Sequence, residues 1–96
     1  KYPLILCPIT GDIPFPDLKD LESEESFDLV FDSMLPLIAP PYMGLPALSF
    51  ATSQTKQNIP LGVQFISRKF REDLLLNVAY DLEKNYPKIR PVIPSF

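Results

Sequence analysis

Leu61-Gly62-Val63-Gln64-Phe65-Ile66-Ser67, followed from about Arg71 to Asn85 by a helical pattern, decides the fold class. In the first stretch Val63, Phe65 and Ser67 alternate with Gln64 and Ile66, the period of two that sends successive side chains to opposite faces of a strand. In the second, Leu75, Val78, Ala79, Leu82 and Tyr86 recur at helical spacing, and Leu74, Leu76 and Tyr80 widen the stripe. A stripe that wide is expected to be buried on more than one side. Strand and helix together make this an α/β chain.

On the amino-terminal side of that strand, Ala47 to Ala51 also reads as a strand. The polar run Thr52 to Pro60 between the two is longer than a two-residue hairpin turn, yet still able to join antiparallel neighbours. The apolar run Leu4 to Cys7, bracketed by Pro3 and Pro8, is too short for a helix and suits a strand of the sheet core, buried on both faces. Gly11 to Leu21, with Pro14 and Pro16, is expected to be an irregular crossover. Ser23 is placed to cap a helix: Glu24 and Glu25 suit its positive first turn, and Phe27, Val30, Phe31, Met34 and Leu35 recur at three and four. Pro36 is expected to end that helix, and Pro36, Pro40, Pro41 and Pro46 to force an extended path around Gly44, whose missing side chain permits a positive φ or a close approach. Pro87 is expected to stop the last helix, with Ile89 to Phe96 lying extended over the body. The expectation is about three strands and two helices in one segment, residues 1–96.

Composition narrows the function. Ninety-six residues, 46% apolar and 22% charged, suit at most one small domain with a core. No run approaches the ~18 apolar residues of a membrane span, and the start at Lys1 lacks the layout of a signal peptide, so a cytoplasmic location without membrane contact is expected. The lone Cys7 fits a reducing compartment. With no histidine and one cysteine, imidazole and thiolate metal sites and His-based triads are excluded for this chain alone, and neither metal nor cofactor is expected. A pI near 4.7 argues against nucleic acid. The charge is uneven: residues 1–48 hold two basic and eight acidic side chains, residues 49–96 seven basic and four acidic. The only basic cluster, Arg68, Lys69 and Arg71, precedes Glu72 and Asp73 and reads as a solvated helix entrance.

Individual motifs carry little chemistry. Ser53-Gln54-Thr55-Lys56 has the S-x-x-K spacing by which a lysine deprotonates a serine nucleophile, but it lies in a polar loop rather than at a helix start. The carboxylates Asp12, Asp17, Asp20, Glu22, Glu24 and Glu25 lack the order of a calcium loop and read as a solvated acidic face. Cys7 sits among apolar neighbours, where a thiol is an inert core residue. Pro91-Val92-Ile93-Pro94 matches P-x-x-P, although its apolar content favours packing on the chain itself.

Three linked motifs are more specific. Gly44-Leu45-Pro46-Ala47-Leu48-Ser49, then Ile59-Pro60-Leu61-Gly62-Val63-Gln64-Phe65-Ile66, then Arg68-Lys69-Phe70-Arg71-Glu72-Asp73-Leu74-Leu75-Leu76 resemble, in order and spacing, the carboxyl-terminal part of amidase-signature hydrolases. There a G-L-P-A-L-S strand, a variable loop, an L-P-V-G-L-Q-L-I-G strand, an R-P-F link and an E-x-x-L-L helix follow one another. Tyr2 to Thr10 is similar to the D-x-L-L-x-P-T strand before them, so the resemblance spans nearly the whole chain. Departures are Pro41 at the asparagine of N-x-x-G, Ala51 at a proline, and Ser67 at the glycine before Arg68.

The resemblance implies a carboxyl-terminal piece of a mixed β-sheet covered by α-helices. It also implies a parent enzyme hydrolysing the C–N bond of a small linear amide with a lysine and two serines that lie upstream of this block. None of those three residues can be placed on this sequence, so no catalytic residue is assigned and the chain alone is expected to be inactive. Pro41, Tyr42 and Gly44 are the candidates for a substrate-cleft wall, because proline and glycine hold backbone rigidly where a ligand approaches. The strand and helix faces that 96 residues cannot cover predict self-association of the segment. An amidotransferase A subunit is an alternative within the family; a non-catalytic protein-interaction module is the alternative outside it.

Overall fold

A computed structural model of the chain describes residues 2–86 and 94–95. Its order is β1 (Leu4–Pro8), a 3-10 turn (Lys19–Leu21), α1 (Glu24–Ser33), α2 (Leu35–Tyr42), β2 (Ala47–Gln54), β3 (Pro60–Ser67) and α3 (Glu72–Asn85). The three strands form one antiparallel sheet, β1-β3-β2. This α/β arrangement agrees with a piece of the amidase-signature fold. The expectations for Pro87, for the tail from Ile89 and for the P-x-x-P motif lie outside the described residues, apart from Pro94 and Ser95.

The hairpin β2–β3 sets the frame. Phe50 faces Val63, Leu48 faces Phe65 and Leu6 of β1 faces Phe65 from the other side, so these share one face of the sheet. Cys7, Gln64 and Ser49 line up on the opposite face, as the alternation requires. Pairing runs further than expected, so the loop shrinks to Thr55–Ile59; its tightest residue is Asn58, with φ +62°. A register shift between Ala51 and Ser53 leaves Thr52 as the extra residue of a bulge.

Helix α1 starts where its sequence says it should. The Ser23 hydroxyl accepts from the Ser26 amide at 3.0 Å, and Glu24 and Glu25 occupy the first turn. Helix α3 holds Leu75, 3% exposed, against the sheet, and Tyr86 at its end meets Phe50 edge-on at 6.4 Å.

Three expectations are corrected. Residues 35–42 are helical, not extended, which gives three α-helices instead of two. Pro36 stands in the first turn, where backbone N–H groups have no helical partner to lose. Pro40 lies inside the helix and does remove a bond, the one that the Pro36 carbonyl would accept. That carbonyl is satisfied from outside the helix: the Gln64 side-chain amide donates to it and, at 3.2 Å, to the carbonyl of Pro8. Second, α1 ends at Ser33, and Met34 rather than Pro36 marks the joint between the helices.

The third correction concerns β1. It is an edge strand, not a central one, and Ile5 and Leu6 are 59% and 61% exposed. The apolar run does form a strand, as its length and composition predict, but nothing within the described residues lies beyond it. Leu75 is the one buried residue of the hydrophobic core among those described. The radius of gyration of 15.5 Å exceeds the roughly 12 to 13 Å of a compact domain this long. The described elements form one sheet-and-helix layer with one open sheet edge at β1.

Candidate functional site

The residues singled out as a cleft wall, Pro41, Tyr42 and Gly44, form the carboxyl-terminal end of α2. Met43 caps the helix and Gly44 follows it at φ +69°, the left-handed conformation that glycine adopts without steric cost. The Leu45 amide donates to the Pro40 carbonyl at 2.8 Å and the Gly44 amide to the Pro41 carbonyl at 3.0 Å, the paired bonds of a Schellman cap. Pro46 then prevents the helix from resuming. The proline- and glycine-rich stretch is thus organised by a helix cap rather than by an extended path.

This cap faces the link between β3 and α3. A β-carbon on Gly44 would lie 3.3 Å from Lys69 Cε, so the lysine stem runs across the space that glycine leaves. Pro41, Gly44, Pro46, Lys69, Phe70 and Glu72 together line a depression of about 500 Å³. Tyr42 is on the surface beside it, 91% exposed. Phe70 is 88% exposed and has φ +63°, a left-handed geometry that is strained for an aromatic side chain. Sequence reasoning missed Phe70, because no glycine or asparagine stands there to announce a positive φ.

A second recess lies at the other side of the same link. It measures about 460 Å³, its floor is apolar (Ile5, Leu45, Ile66 and Leu74), and Arg68 and Arg71 stand at its rim. Arg71 grips Asp73 with two bonds, Nε to Oδ1 at 2.9 Å and Nη2 to Oδ2 at 3.0 Å. The hydrogen bond from Arg71 holds the Asp73 carboxyl below its ordinary value, and the same bond raises the guanidinium of Arg71 above its own. Beneath them Ser67, 3% exposed, donates to the Arg71 carbonyl at 3.1 Å and so ties the strand end to the helix start. The basic cluster marks the rim of this recess, but half of its apolar floor, Ile5 of β1 and Leu45, is distant in sequence.

No catalytic constellation emerges among the described residues. Ser53 is exposed in β2 and Lys56 is in the following turn, with no hydrogen bond between them. No group of three His, Cys, Asp or Glu side chains among those described is placed to hold a metal ion, and no described helix is long and apolar enough to cross a membrane.

Comparison with known proteins gives the context. No protein-family model matches the chain, and no solved structure matches it. Curated relatives do: over 93 residues, 95% of the chain, it is 33% identical to the A subunit of the glutamyl-tRNA(Gln) amidotransferase of Trichodesmium erythraeum. The protein of the same description from Picosynechococcus is 34% identical over 84 residues, and that of Helicobacter hepaticus 51% identical over 41 residues. The chain belongs to the amidase-signature family. It spans 19%, 17% and 9% of the lengths of these three family members.

Proposed function

We propose that the chain is the carboxyl-terminal structural segment of an amidase-signature enzyme that hydrolyses the C–N bond of a small linear amide in the cytoplasm. The serine and lysine residues of its Ser-Ser-Lys chemistry lie in the part of the protein preceding this segment. Residues 1–96 are one continuous piece of that domain. It supplies β1–β3, α3 and the capped end of α2, with Pro41, Tyr42 and Gly44 as part of the substrate-cleft wall. The observation that carries this reading is the ratio of coverages: 95% of the chain aligns with 19% of a relative. An acylation site needs an activated hydroxyl and backbone donors for the oxyanion, and neither is found among the described residues, which favours a supporting role for the segment.

A second reading, a segment of an amidotransferase A subunit, is favoured by the descriptions of the relatives, which all name that subunit. Both readings are tested by capturing the polypeptide that carries this sequence from its native source. Its intact mass is measured and its ammonia release from simple amides assayed, with and without co-purified proteins. A species several times heavier than 10.9 kDa that releases ammonia alone supports the amidase; release only with co-purified partners supports the amidotransferase. A native species near 10.9 kDa, or a large one without amide hydrolysis under either condition, overturns both in favour of an interaction module.

A further inference from the structure

Helix α2 is tied to β3 at both of its ends. At the start, the side-chain amide of Gln64, a residue 3% exposed, donates to the carbonyl of Pro36. The same nitrogen donates at 3.2 Å to the carbonyl of Pro8 at the end of β1, so both of its hydrogens are directed at backbone points on two different elements. Just past the other end of the helix and its cap at Gly44, the backbone amide of Ser67 donates to the carbonyl of Pro46 at 3.1 Å. The eight residues of α2 measure about 12 Å and β3 rises about 10 Å between Gln64 and Ser67, so the helix fits the strand segment that holds it. Among the described residues no other side-chain hydrogen bond reaches α2.

We propose that Gln64 is a positioning residue of the cleft wall: it fixes the start of α2 along β3, and so sets where Pro41, Tyr42 and Gly44 stand at the far end of the helix. The inference rests on the reading of those three residues as part of a substrate cleft. Satisfying the Pro36 carbonyl is not enough for this role, because a donor within the helix would leave α2 free to slide and tilt on the sheet. A wall that touches the body of a bound amide and not its reacting carbon contributes equally to the bound substrate and to the transition state, so displacing it weakens binding and leaves turnover nearly unchanged. The signature of a positioning role is therefore a change in KM that persists after the helix has been given back its own donor.

Gln64→Met keeps the length of the side chain and removes its donor, and Pro40→Ala returns a donor to the Pro36 carbonyl inside the helix. The position of α2 is read first, in residues 1–96, as the electron–electron distance between spin labels at Tyr42→Cys and Tyr80→Cys, both exposed, in a Cys7→Ala background diluted with unlabelled protein. Gln64→Met is expected to broaden and shift that distance, Pro40→Ala to leave it as it is, and the double variant to stay broad while circular dichroism shows its helices intact. If Gln64→Met alone unfolds, the double variant against Pro40→Ala makes the same comparison. In the full-length enzyme, with linear amides from acetamide to hexanamide as probes, Gln64→Met and the double variant are expected to raise KM about tenfold with kcat within about twofold. Distances indifferent to the loss of Gln64, a double variant that regains the unaltered distance, or an active enzyme whose KM does not respond overturns the proposal. A full-length protein that releases no ammonia from any of these amides with Gln64 in place overturns the amidase reading instead, and the distances then decide on Gln64 by themselves.

Discussion

The side chain of Gln64 supplies the hydrogen bond that Pro40 takes away from Pro36. An amide at position 40 would have bonded the Pro36 carbonyl within the helix; proline has none, and the buried Gln64 amide donates in its place while also holding Pro8. One side chain thus joins β3, β1 and α2. Gln64→Leu is expected to lower stability by about 1–3 kcal/mol, the cost of losing two part-buried hydrogen bonds. The loss should be smaller in a Pro40→Ala background, where the helix recovers its own donor. Urea unfolding of the four proteins at one fixed concentration measures this; equal losses in both backgrounds would show that the Gln64 bond to Pro36 carries no weight.

The cap at Gly44 makes a separate claim. Its φ of +69° is one that a side chain resists, and a β-carbon there would press on the Lys69 stem at 3.3 Å. Gly44→Ala is expected to cost about 1–2 kcal/mol from the backbone alone. Lys69→Ala should not relieve it, because a flexible lysine tip moves aside at little cost. Thermal melts of the single and double variants check the point, and a melt of Gly44→Ala matching that of the parent would refute the left-handed cap.

Asp73 links pH to the start of α3. Its pKa is depressed, chiefly by the Arg71 hydrogen bond, so its contribution is present above the ordinary carboxylate value of 3.8 and is lost as pH falls through the lower folded value. NMR titration of the side-chain carboxyl carbon should therefore give a midpoint below 3.8 in the parent and one close to it in Arg71→Ala. A midpoint unchanged by that substitution would assign the shift to the helix start instead. The group is exposed, and the readout is accordingly its titration rather than global stability.

What the sequence revealed was what neighbouring residues decide. Ser23 caps α1 because its partner is three residues away, the alternation in Val63 to Ser67 fixes strand faces, and Gly44 marks a positive φ by its own chemistry. What it concealed depends on residues far apart. Helix α2 survives Pro40 through Gln64, which local propensity cannot anticipate. The apolar run of β1 signals burial, but the partner that would bury its outer edge is absent from the described residues. The same holds at the site: the positive φ at Gly44 was legible, whereas the protruding Phe70 and the floor of the Arg68 recess were not, since they arise where elements distant in sequence meet.

Gly62 tests how closely β2 and β3 are paired. A β-carbon there would stand 2.9 Å from the Phe50 carbonyl oxygen, and 2.8 Å from Cδ1 of Ile9. The isoleucine tip can rotate away, but the Phe50 oxygen belongs to the backbone of the paired strand next to the bulge at Thr52, and it can shift only by opening the ladder. Gly62→Ala is expected to destabilise the hairpin by about 1–3 kcal/mol even though alanine suits a strand better than glycine. Amide exchange of β2 and β3 should show the loss concentrated around Phe50 and Ala51. Ile9→Ala in the same chain removes the side-chain clash alone, so it should recover little; full recovery would mean that the backbone approach is looser than the paired register requires.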